Sequence, residues 1–208
     1  MNIFVLGLTG LVLLVNTLVT PAATLLVLAD KSLDLTTRER SPYVNQVFAD
    51  NITLSLHYLK GDVGSLPINW DEVRQPFEVD FTLDPNETFA FHANLEKEAK
   101  KPKATMNSRF FVDEGYLTVG GLGGNGVCHL ASLIAWAASE ADLDVIAEVK
   151  HDFAPVPGVP SQFGASIYSQ DPRQNLVIRN DKDYPVTFHF QVDPHSVNLK
   201  IVKEAIGA

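Results

Sequence analysis

Five of the seven residues from Gly120 to Gly126 are glycine, and the chain's single cysteine, Cys128, follows at once. Glycine loses more backbone freedom on ordering than any other residue, so such a run is a loop and not the interior of an element. The residues after it change period. Leu130, Leu133, Ile134, Ala137 and Ala141 recur at i, i+3 and i+4, which predicts a helix starting near Cys128. Tyr116 to Val119 reads as a short strand leading into the glycines. The unit is therefore strand, glycine loop and helix, with a thiol at the helix start.

That position has a chemical meaning. A thiolate, not a thiol, attacks a carbonyl carbon, and a free cysteine titrates near about 8.5. Unpaired N–H groups in the first turn of a helix, with the helix dipole, favour negative charge and predict a lowered value for Cys128. The backbone of Gly124, Asn125, Gly126 and Val127 is the candidate source of oxyanion donors for a tetrahedral intermediate. The loop is not a phosphate-binding loop of the Walker type, because no Lys-Ser/Thr follows the last glycine. A cysteine at such a place is otherwise a small buried hydrophobe.

A nucleophilic thiol needs a base, and three histidines are candidates. His129 is the neighbour in sequence, but adjacent helical side chains diverge by about 100°. His151 follows the next expected strand, a natural route back to the helix start, and is preferred. His92 ends an earlier strand. The histidines are scattered, with no H-x-x-x-H or C-x-x-C, so no metal site and no cofactor is expected.

Around this unit the 208 residues read as one α+β domain. Apolar positions Val44, Val47, Phe48, Ile52, Leu56 and Leu59 predict a helix over 43–59, stopped by Gly61. Phe77 to Leu83 alternates as a half-buried strand does. Asp84-Pro85-Asn86 is a turn, and Thr88 to Phe91 resumes the strand pattern. Further short strands are expected at 144–149, 165–168, 176–179, 186–192 and 197–202. The architecture predicted is short, mainly antiparallel strands around the central helix that carries the cysteine, over 43–208. A net charge of -9 without a basic face argues against nucleic acid as partner. One cysteine precludes an internal disulfide.

The N-terminus is different in kind. No charged side chain precedes Asp30. The stretch 1–30 reads as a signal peptide or as an uncleaved membrane helix, and apolarity continuing through Leu25, Leu26, Val27 and Leu28 favours the anchor. Residues 31–42, polar and ending in Ser41-Pro42, read as a linker.

The motifs resemble those of a known family. Gly123-Gly124-Asn125-Gly126-Val127-Cys128-His129 resembles the G-G-G-V-C-Q signature of the VanW family. In the same order, Pro85 to His92 resembles P-G-E-T-F-S-F-N, and Gly115-Tyr116 resembles the Gly-Tyr before the glycine loop. His151-Asp152-Phe153 resembles H-S-F, and Leu176 to Asn180 with Tyr184-Pro185 resembles L-K-F-K-N…Y-P. The resemblance covers roughly 48–190. It implies a protein on the extracytoplasmic face of a bacterial envelope, membrane-anchored or secreted, with peptidoglycan stem peptides as partners. Some VanW-domain proteins are L,D-transpeptidases, which implies Cys128 as nucleophile, His151 as base and the Gly124–Cys128 backbone as oxyanion site. His129 and Ser132, beside the cysteine, and His92 are the further candidates for substrate contact. The sequence departs from the family in four places, one of them an Asn later in the helix that is replaced near Trp136. His129 replaces Gln, Ala131-Ser132-Leu133 replaces Ser-Thr-Thr, and Gln162-Phe163-Gly164-Ala165 lacks the family's aspartate. Three functions follow: a cysteine L,D-transpeptidase, a non-catalytic envelope module binding wall peptides in the same groove, or a cysteine amidase or peptidase.

Overall fold

The structure, a computed structural model, describes residues 25–96, 101–120 and 124–204. Its elements in chain order are β1 (Leu25–Asp34), α1 (Pro42–Lys60), α2 (Trp70–Val73), β2 (Phe77–Leu83), β3 (Thr88–Ala90) and β4 (Ala104–Thr105). Then come α3 (Val127–Glu140), β5 (Asp144–Ile146), β6 (Val177–Arg179), β7 (Val186–Val192) and β8 (Ser196–Glu204).

The strands form two four-stranded sheets. The first, in the order β1-β8-β7-β2, is antiparallel throughout. The second has the order β4-β3-β6-β5 and is antiparallel except where β3 meets β4. Alternation in the sequence becomes a buried face: Val186, Phe188, Phe190 and Val192 of β7 point inward, with Val79 and Leu83 of β2 beside them. Phe81 joins the sheets, its ring 4.5 Å from that of Phe188 and 5.0 Å from that of Phe89 on β3.

Both long helices start and stop where their sequences say. Pro42 occupies the first turn of α1, and Gly61 caps its end in the left-handed conformation. Helix α3 is apolar nearly all round, and Leu130, Ala131, Leu133, Ile134, Ala137 and Ala138 are all buried. A helix of that kind belongs inside a fold. Here α3 packs against α1, β1, β8 and β5, and it is the central helix of an α+β domain.

The N-terminal expectation needs correcting where it reaches the described residues. Leu25–Leu28, read as the continuation of a membrane span, open β1, and most of the supposed linker is the rest of β1 and a 3₁₀ turn at Leu35–Thr37. The physical reason is β8. Its Val197, Leu199 and Ile201 are buried, and its free edge needs a hydrogen-bonding partner. β1 supplies one over nearly its whole length and contributes Ala29 and Leu33 to the core, followed by Leu35 from the turn. Lys31 ties β1 to α3 through Glu140 at 2.6 Å and lies over the Trp136 ring. The membrane helix expected over the first residues falls on 1–24, outside the described residues. Among the described residues no helix is long and apolar enough to cross a membrane.

Two expected strands are not strands, and side chains take up several of their backbone groups. In 116–119, Leu117 N–H donates to Asn51 Oδ1 and Leu117 C=O accepts from Asn51 Nδ2, each at 2.9 Å, while Val119 N–H donates to Asn125 Oδ1. In 165–168, Ala165 N–H goes to Ser132 Oγ and Ile167 N–H to Cys128 Sγ. The other two amides of 165–168 go to backbone carbonyls, Ser166 to Val149 and Tyr168 to Gln174, so the side-chain bonds interrupt what would otherwise be a ladder.

Candidate functional site

Cys128 stands in the first turn of α3, after Gly126, which caps the helix at φ 99°. Only glycine suits that position. A Cβ there would lie 2.6 Å from the carbonyl oxygen of Phe48 on α1, besides the unfavourable backbone angle. Gly124, also left-handed at φ 66°, packs against Phe110. The loop is held in place by Asn51, fully buried in the middle of α1. Its amide spans the Asn125 and Leu117 carbonyls, each at 2.9 Å. A buried asparagine in a helix interior was the available signal for this role, and periodicity alone passed over it.

The loop and helix start form one side of a cavity of about 420 Å³. Gly124, Asn125, Gly126, Val127, Cys128, His129 and His151 all line it. The facing wall comes from the 166–169 segment, with Gln174 behind it and Phe110, Phe111 and Phe153 around the mouth. A larger surface groove of about 700 Å³ lies near β4 and Lys101–Asn107, but no thiol or imidazole lines it.

Two expected contact residues lie elsewhere. Ser132 is fully buried, donating to the Cys128 carbonyl at 2.7 Å and accepting from Ala165 N–H at 3.0 Å. It is a clamp between α3 and the opposite wall. His92 is buried behind that wall, its Nε2 2.9 Å from the Gln174 carbonyl, and burial lowers its pKa.

The thiol differs from the expectation. Both hydrogen bonds of Sγ run to the backbone of Ile167: the amide donates to it at 3.4 Å, and the thiol approaches the carbonyl at 3.9 Å. Burial pushes the Cys128 pKa up, and the Ile167 and Cys128 N–H groups only partly oppose it. The lowered value expected from the helix N-terminus is thus reversed, because desolvation outweighs the first-turn donors. The Val127 amide closes on the Gly124 carbonyl at 3.0 Å. The Cys128 amide, turned toward its own sulfur, is the donor remaining in that turn.

The two cavity histidines are differently placed. His129 is buried, its ring 5.1 Å from Phe48 and 6.0 Å from His151. Burial, with the nearby Arg38 and His151, lowers its pKa to about 3, so it is neutral at ordinary pH. Arg38 is itself only 2% exposed and donates to the carbonyls of Asp34 and Pro157, at 2.5 and 2.8 Å. His151 packs on the Phe153 ring at 4.1 Å, and its Nδ1 lies 2.8 Å from the Ala154 carbonyl oxygen.

Residues 79–202, more than half of the chain, match the family model described as VanW like protein. The chain belongs to the VanW-like family. The match spans the glycine loop, Cys128 and His151, so all of the cavity's lining except Phe48 of α1 falls within the matched region of this VanW-like protein. No curated protein and no solved structure matches the VanW-like chain.

Proposed function

We propose that this VanW-like protein is a cysteine acyltransferase acting on peptidoglycan stem peptides at the outer face of a bacterial envelope, as an L,D-transpeptidase. The observation that carries the reading is a single cavity lined by a helix-start thiol and by His151, the histidine preferred as its base. In the first step Cys128 Sγ attacks the carbonyl before the terminal D-alanine of a tetrapeptide stem, and its proton passes to His151. The tetrahedral oxyanion faces the Cys128 amide. The C–N bond breaks, D-alanine leaves with the proton from His151, and a thioester remains. An amine of a second stem then attacks the thioester, and the thiol is restored. The first residues of the chain would serve as anchor or export signal.

A raised thiol pKa is compatible with this order of events only if the proton leaves as substrate enters, since apo geometry often tightens in the substrate complex. The same observation favours a second reading. A sulfur held by the Ile167 backbone and disfavoured as thiolate suits a groove that binds wall peptides without reacting.

The deciding experiment is intact-protein mass spectrometry after incubation with a disaccharide-tetrapeptide. The transpeptidase reading expects a covalent adduct on Cys128, lost in Cys128→Ser and discharged by an added amine. Adduct discharge by water alone would mark an amidase. Saturable binding with no adduct in the wild type would leave the non-catalytic groove.

A further inference from the structure

The family's aspartate is missing from Gln162-Phe163-Gly164-Ala165, and no carboxylate hydrogen-bonds either cavity histidine among the described residues. We infer that Ala154 and Gly164 are the positioning residues of this site, with the Ala154 carbonyl doing for His151 what a carboxylate does in a Cys–His–Asp arrangement. The inference rests on the transpeptidase reading for its catalytic meaning, but its structural content stands alone.

The argument starts from hydrogen-bond inventory. A carbonyl oxygen only accepts, so the 2.8 Å contact with Ala154 requires the proton on His151 Nδ1. In the neutral ring Nε2 then carries the lone pair. That tautomer can take a proton from a thiol. The opposite one, with the proton on Nε2, makes no such bond and turns its lone pair toward the Ala154 carbonyl oxygen.

Three further contacts hold the ring and its backbone. The His151 amide donates to the Gly164 carbonyl at 3.3 Å. The Phe153 ring lies against the imidazole. Gly164 approaches so closely that a Cβ on it would meet the His151 carbonyl oxygen at 3.2 Å and the His151 Cβ at 3.3 Å. Its φ is that of ordinary extended backbone. A Cβ would also meet the Ser161 carbonyl oxygen at 3.2 Å, so a side chain here would press on His151 and Ser161 and shift them by a few tenths of an ångström, while backbone freedom is not what the position asks for. The glycine of the divergent element thus lies directly against His151.

A carbonyl differs from a carboxylate in one respect. It fixes tautomer and ring plane, but adds no negative charge to stabilise the imidazolium. Histidine in this site is oriented by a neutral partner.

The test is long-range ¹H–¹⁵N correlation on histidine-labelled protein, with His151 assigned by His151→Gln. The expected result is the Nδ1–H tautomer for neutral His151 in the free protein. An Nε2–H tautomer overturns the inference, even if tetrapeptide forms an adduct on Cys128. An Nδ1–H tautomer without any adduct leaves the inference standing and removes the catalytic reading instead. Gly164→Ala supplies an independent measurement. The added methyl should shift the His151 ring signals and abolish the part of the Cys128 alkylation pH profile that His151→Gln also abolishes. His151 signals and profile unchanged in folded Gly164→Ala would refute the role assigned to Gly164.

Discussion

Gly126 and His129 flank the thiol, and each sets a measurable constraint. At Gly126 a methyl would have to displace the Phe48 carbonyl, in a backbone region disfavoured for every L side chain. Gly126→Ala is expected to cost about 1–3 kcal/mol, the usual range for such strain, read as a lower urea midpoint with unchanged slope. At His129 the consequence is pH dependence. Its folded pKa is about 3, whereas an unfolded histidine titrates near about 6.5. Protons therefore bind the unfolded chain preferentially in between. The destabilisation should begin as pH falls below about 6.5 and grow until about 3, with His92 adding in the same direction. His129→Gln should flatten this slope in melting temperatures taken across that range. A slope unchanged in the variant would mean that His129 is hydrated in the folded protein.

The element that organises the site is α3, and its partner is the irregular wall at 165–168. Ser132 joins them, and Ser132→Ala would leave the Ala165 amide buried without an acceptor. The expected cost is about 1–3 kcal/mol in thermal or urea unfolding, with faster amide exchange at Ala165 as the local signature. Much at this scale was legible beforehand. α1, β2, β7 and α3 lie within a residue or so of their expected ranges, because each has an apolar period or a capping residue that stands in the sequence. The segments at 116–119 and 165–168 were not legible as they are. Their composition suits strands, and side chains of Asn51, Asn125, Ser132 and Cys128 claim alternate amides in them. The thiol's electrostatics were misread for a related reason. Helix position is visible in sequence, while the desolvation that outweighs it depends on chains brought from elsewhere. Cys128 and His151 on one cavity followed from topology, a strand returning the chain to the helix start.

At the scale of the whole molecule, β1 is the element whose loss would be felt furthest. It closes one edge of the first sheet, contributes Ala29 and Leu33 to the core, and leads into Leu35. A protein beginning at residue 38 is expected to aggregate or expose apolar surface to dye, whereas one beginning at residue 25 should melt cooperatively. Cooperative melting of the shorter chain would show that β8 tolerates an open edge. The molecule also divides its labour in space. Asn51 reaches from α1 to set the glycine turn that leads into the thiol's helix. Phe153, Tyr168 and Ser169 line the opposite side, where Ser132 and the Ile167 backbone join that wall to the thiol's turn. Such a plan resembles a tool held between two jaws: one bank sets where the thiol's backbone stands, and the other, through the Ile167 backbone, holds the sulfur itself, so recutting the facing bank would also move the reactive atom.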